Sequence, residues 1–181
     1  MRKKINRVTG WFSGMSLLML LSRLSTGCMS IHTAASKGNL SEVNRQLALS
    51  VSPNNWSWHA NTPLIKAATF GRTEVVKLLL EKGADVNKHN KGRETPLHYA
   101  AKHGYTEVVR ILLEHGADVT AKGTGCGTPL QWAARNGQIK AAKLLLAHGA
   151  DVNQQGTSER TTLIDAVSHG HVDMVVLLLS L

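Results

Sequence analysis

The sequence predicts an all-α solenoid of about five 33-residue helix-turn-helix units joined by extended β-turn loops, and three observations predict it. Thr62-Pro63-Leu64, Thr95-Pro96-Leu97 and Thr128-Pro129-Leu130 recur in step, with Thr161-Thr162-Leu163 a degenerate copy and Met29-Ser30-Ile31 a weak first one. Gly38, Gly71, Gly104, Gly137 and Gly170 keep the same spacing. So do the leucine triplets at 78–80, 144–146 and 177–179. A fixed period of this length marks an array that buries its core between neighbouring units. The units fall near 29–61, 62–94, 95–127, 128–160 and 161–181.

The first 28 residues stand apart. Arg2-Lys3-Lys4 precedes an apolar stretch from Trp11 to about Leu21, then Ser25-Thr26-Gly27-Cys28. Basic, apolar and small residues in that order form the layout of an export signal, and the apolar part is too short to span a bilayer comfortably. Cleavage before Cys28 would leave every repeat intact. The segment 1–27 resembles a bacterial lipoprotein signal peptide. That resemblance implies a lipidated Cys28 as the mature N-terminus, tethering the chain to a membrane. Met29 rather than Asp follows the cysteine, which implies the outer membrane, facing the periplasm. Plain export, or an uncleaved anchor on an intracellular scaffold, is the alternative.

The repeat domain begins at residue 29. Its first unit carries Arg45-Gln46 where later units have Leu-Leu, which suits a polar end cap. In the third unit, Thr95 can cap a helix, Pro96 fits the first turn where no amide hydrogen bond is lost, and Ala100-Ala101 allows close helix packing. Gly104 accepts a left-handed conformation and ends that helix; Val108-Val109 and Ile111-Leu112-Leu113 give a second with a wide apolar face. Gly116-Ala117-Asp118 turns the chain outward. The run Thr95-Pro96-Leu97-His98-Tyr99-Ala100-Ala101, then Gly104, Val108-Val109 and Gly116-Ala117-Asp118-Val119, resembles the ankyrin repeat across its length. Residues 62–153 follow that pattern closely, 29–61 and 161–181 loosely. Only His32 and His98 fill the fourth position of the Thr-Pro-Leu-His motif, so inter-repeat hydrogen bonding through that histidine is expected to be patchy. The last unit stops at Leu181 with Val175 to Leu179 fully apolar, an end expected to be tolerated or partly covered.

Ankyrin arrays bind other macromolecules through the loops and the exposed face of the first helix, so the resemblance implies a protein partner in the concave groove. Six aromatic residues follow Cys28, and none is at an expected core register. Trp56 and Trp58, with His59, lie in the loop before the second repeat; Phe70 precedes Gly71; Tyr99 and Trp132 precede the alanine pairs. Surface aromatics are common binding anchors. The same registers carry Lys66, Lys91, Lys102, His103, Arg135 and Asn136, which would make the groove mildly basic and favour an acidic partner. Glu74, Lys77, Glu107 and Arg110 fall on second helices and read as ordinary charged exterior.

The net charge of +9 suggests nucleic acid until it is divided. Five basic residues and no acid lie in the first 28, leaving 16 basic against 12 acidic residues, +4, from Cys28 onward. No nucleic-acid partner is expected. The nine histidines show no helical zinc spacing with a supporting ligand, and Cys28 and Cys126 match no zinc motif. There is no nucleophile elbow or phosphate loop. The expectation is a monomer without metal, cofactor or catalytic residues, acting as a binding protein whose partner is a toxin, which it would neutralise as an immunity protein, or an enzyme it assists.

Overall fold

The computed structural model describes residues 29–57, 60–124, 127–156 and 160–181. Among them lie ten helices in five pairs: α1 Ile31–Lys37 and α2 Leu40–Ala48; α3 Pro63–Thr69 and α4 Thr73–Glu81; α5 Pro96–His103 and α6 Thr106–Glu114; α7 Pro129–Arg135 and α8 Ile139–Ala147; α9 Thr162–Ser168 and α10 Val172–Leu179. Each first helix packs on the next (α1, α3, α5, α7, α9), and the second helices form a parallel row, so the repeat domain has two layers. The only pairing of extended backbone among the described residues is an isolated bridge between Gly123 and Gly127.

The local reasons are those the repeat implies. Thr62, Thr95, Thr128 and Thr161 sit at helix N-caps with extended backbone. The hydroxyl of Thr62 accepts the Ile65 N–H at 3.1 Å, satisfying one of the amides a helix start leaves free. Pro63, Pro96 and Pro129 occupy the first turn, and the paired alanines at 67–68, 100–101 and 133–134 are fully buried, which brings first helices close together. Gly71 shows why the interhelical residue is fixed. Its φ is +62°, and a Cβ there would stand 2.8 Å from the Tyr105 ring of the next repeat. Glycine is required there both for backbone conformation and for the ring that lies on it.

Seams between repeats are hydrogen-bonded at two levels. On the loop side, the Asn87 carboxamide donates to the Gly116 carbonyl at 3.1 Å and accepts the Asp118 N–H at 2.8 Å. Asn54 makes the same pair of bonds to Gly83 and Asp85 one repeat earlier. On the first-helix side, His98 Nε2–H donates to the Gly127 carbonyl at 3.0 Å while Nδ1 accepts from Thr95 N–H. His32 Nε2 reaches the Asn55 carbonyl in the same way. The expected patchiness needs correcting at one place. Gln131 Nε2–H donates to the Arg160 carbonyl and Gln131 Oε1 accepts the Thr128 N–H, so a carboxamide does the work of the imidazole. Ile65 and Ile164 offer no such bond.

The ends differ. In α2, Glu42 takes two bonds from Arg45, at 2.7 and 2.8 Å, and one from Gln46 at 2.8 Å, the polar finish expected of a first unit. These donors hold the Glu42 carboxyl down at about 2. In the last unit Ile164, Val167, Val172, Val176 and Leu179 are exposed.

Candidate interaction surface

The face that could grip a partner is built from the loops and the first-helix layer. Trp56 is 57% exposed in the loop before α3, and Lys88 of the next loop holds its ammonium 5.3 Å from the centre of the indole ring. That contact, worth about 0.5–1 kcal/mol at an exposed site, orients the ring without covering it. The sequence reading missed Lys88; a lysine in the same loop one repeat on was the available signal. Phe70 is 47% exposed at the end of α3. His103 shares its register one repeat later, is exposed, and lies 5.8 Å from the exposed ring of Tyr105. Burial, then the charge of Lys102, pushes the His103 imidazole below its ordinary value, favouring the neutral ring. Trp58 and His59 lie outside the described residues, as do Cys28 and Cys126.

Trp132 corrects the expectation that no aromatic residue falls in the core. It is only 6% exposed, its ring meeting His98 edge-on at 5.7 Å and Tyr99 at 5.6 Å. The register is exposed in the first repeat (Thr33), half-buried at Lys66 and Tyr99, and buried at Trp132 and Asp165. A large ring at this position cannot reach solvent because the preceding repeat already carries the bulky Tyr99 and His98 beside it. Trp132 Nε1 has no hydrogen-bond partner among the described residues, which marks a ring seated for packing rather than polarity. Trp132 therefore offers no indole face to a partner. It supports Tyr99 from one side and Lys102 from above, the Lys102 ammonium lying 5.2 Å from its ring.

Tyr99 is half-buried and its hydroxyl donates to Glu94 at 2.7 Å while accepting from Asn90 at 3.0 Å. Burial, then the Glu94 carboxylate, pushes the phenol up to about 12. Arg135 is likewise committed: it pairs at 2.9 Å with Asp165, which is 1% exposed and also faces Arg160 at 3.4 Å. Asn136 donates to the Trp132 carbonyl at 2.8 Å. The structure thus divides the predicted set. Trp56, Phe70 and His103 face solvent; Lys66 and Lys102 are half-buried and Lys91 exposed; Tyr99, Trp132 and Arg135 are engaged in holding repeats together, and Asn136 closes the end of its own helix.

Charge separates the two layers. On second helices acids meet bases, Glu74 with Lys77 at 3.1 Å and Glu107 with Arg110 at 3.4 Å. On the first-helix and loop face Asp165 pairs with Arg135 and Arg160, Glu94 accepts from Tyr99, Asp85, Asp118 and Asp151 are exposed in the loops, and Lys66, Lys91 and Lys102 have no ion-pair partner among the described residues. The result is a basic face on a rigid support.

The family described as "Ankyrin repeats (3 copies)" matches residues 31–123 and 122–181, most of the chain. The chain belongs to the ankyrin-repeat family. An ankyrin repeat-containing protein of Schizosaccharomyces pombe, P1E11.10, is 34% identical over 64 residues; the match covers 35% of this chain and 31% of that protein. Ankyrin repeats generally form scaffolds for protein–protein interaction, and this chain carries such an array. Among the described residues no group of three His, Cys, Asp or Glu side chains could hold a metal ion, and no helix is long and apolar enough to cross a membrane.

Proposed function

We propose that this chain is an exported, lipid-anchored ankyrin protein whose loop and first-helix face grips one specific protein partner. The observation that carries the binding face is the presence on it of exposed aromatic rings, Trp56 and Phe70, and of lysines, Lys66, Lys91 and Lys102, that have no ion-pair partner among the described residues. Rings supply apolar contact at low entropic cost, and the surrounding cations set the orientation of the encounter. Export and tethering through Cys28 rest on the order of basic, apolar and small residues in the first 28 positions. A tethered, unreactive gripping surface at the cell envelope suits the neutralising of a toxin that arrives there, or the support of an enzyme that works there.

Two measurements test the reading. Affinity capture from envelope extract with the full chain is expected to lose its partner when Trp56, Trp58 and Phe70 are replaced together by alanine, with helical circular dichroism retained; unchanged capture refutes the face. Mass spectrometry of the mature N-terminus is expected to show an acylated Cys28. An intact Met1 would instead favour an intracellular or uncleaved, membrane-anchored scaffold. For the toxin-neutralising form, a strain lacking the protein should become sensitive to attack by sibling cells.

A further inference from the structure

The loops ahead of the third and fourth repeats enclose a cavity of about 150 Å³ whose walls include Asn87, His89 and Arg93 from one loop and Asp118 and Lys122 from the next. Its width is fixed, because Asn87 bonds both the Gly116 carbonyl and the Asp118 N–H across the seam. Arg93 and Lys122 are exposed, and neither has an ion-pair partner among the described residues. The neighbouring acid, Glu94, is not in the wall and makes no ion pair with Arg93; one of its oxygens accepts from Tyr99 Oη–H at 2.7 Å and Asn90 Nδ2–H at 2.9 Å. The one carboxylate in the wall, Asp118, accepts the Thr120 N–H at 2.8 Å and the Thr120 hydroxyl at 2.7 Å through one oxygen. His89 Nδ1–H donates to the Asn90 carbonyl at 2.9 Å, which leaves Nε2 free. Arg93 also holds a φ of +58°, in the left-handed region that L side chains rarely adopt.

The geometry points to a carboxylate-binding cavity: an acidic segment of the protein partner sets one aspartate or glutamate side chain between Arg93 and Lys122. Two cations against one partly satisfied carboxylate leave a surplus of positive charge, and a guanidinium offers a carboxylate two parallel donors. Size argues the same way. Pockets for whole small molecules run to roughly 300–1,000 Å³, whereas this one, at about 150 Å³, is of a size for a side chain. Lys91 lies exposed in the loop beside Arg93, so an acidic chain leaving the cavity meets further positive charge. This inference deepens the proposed binding face and rests on it.

The test uses the full chain in detergent and a fluorescein-labelled peptide of about twelve residues rich in Glu and Asp, read by fluorescence anisotropy. The peptide is expected to bind, and Arg93→Ala with Lys122→Ala to weaken it at least ten-fold without changing the thermal midpoint. The pair Lys140→Ala and Lys143→Ala, exposed on α8 and removing the same charge, is expected to leave binding within two-fold. Equal loss from both pairs would reduce the effect to net charge and overturn the proposal. So would equal binding of the Gln/Asn counterpart of the peptide, or tighter binding of phosphatidylglycerol vesicles or a single-stranded oligonucleotide with the same dependence on Arg93 and Lys122. Should partner capture depend on Trp56, Trp58 and Phe70 while the peptide fails to bind, the carboxylate cavity alone falls and the binding face stands.

Discussion

The third and fourth repeats and the fifth are written in the same 33-residue register, yet the same positions meet opposite environments. His98 and Gln131 are buried and bonded to the loop of the next repeat, whereas Ile164, two turns of the period further on, is exposed. Ala101 and Ala134 are fully buried; Val167 at the same register is exposed. Leu113 is buried, and Leu179 two repeats later lies open. A residue's burial in such an array is a property of its neighbours, not of its own unit. The stability of the centre is therefore expected to respond to single substitutions far more than that of the last repeat.

The sharpest way to break the comparison is Trp132→Ala. Removing a buried indole costs about 3–5 kcal/mol, and urea unfolding followed by circular dichroism should show a loss in that range. Trp132→Phe keeps most of the ring and removes the N–H that has no acceptor among the described residues, so its cost should fall below about 1 kcal/mol. If the two variants were equally destabilised, the indole would owe its place to a polar contact and not to packing. Next comes His98→Ala, which strands the Thr95 N–H inside the seam and leaves the Gly127 carbonyl with the Gly123 N–H alone; a loss of about 1–3 kcal/mol is expected at neutral pH.

The period, the helix pairs and the turn glycines were legible in the sequence because each rests on a local rule: a threonine cap, a proline in the first turn, a glycine at positive φ. Trp56 and Phe70 were legible as surface residues because loop and helix-end positions leave rings open in any repeat. Trp132 was not. Its register is open in the first repeat and closes only where bulky neighbours from adjacent units crowd it, which depends on residues 33 positions away. Gln131 was missed for a related reason. A motif names an amino acid, while the seam requires only one acceptor for the cap and one donor for the next loop, which a carboxamide also supplies.

That equivalence gives a smaller effect with a clear sign. Burial, foremost, pushes the His98 imidazole below its ordinary value of 6.5, opposed by its bond to Gly127. Nδ1 must stay unprotonated to accept from Thr95, so the folded protein favours the neutral ring. The contribution is complete above about pH 6.5, where the ring is neutral in both states, and is lost as pH falls from there through the lowered folded value. His98→Gln should keep most of the neutral-pH stability and flatten the decline below pH 6.5. Gln131→His should steepen it. The measurement is the urea midpoint at pH 7.5, 6.5 and 5.5. His32, lowered by burial as well, leaves a residual slope in His98→Gln.

The smallest effect belongs to the open repeat. Val176 is 62% exposed on α10, at the register held by Lys77, Arg110 and Lys143 in the preceding units. Asp173 stands three residues before it, where Glu74 and Glu107 precede their partners. Val176→Lys removes no buried contact and restores an i, i+3 pair worth a few tenths of a kcal/mol, so stability should rise by less than about 0.5 kcal/mol. A loss above about 1 kcal/mol would mean that Val176 is covered in solution, and the contrast between the centre and the last repeat would then describe the isolated chain and not its working state.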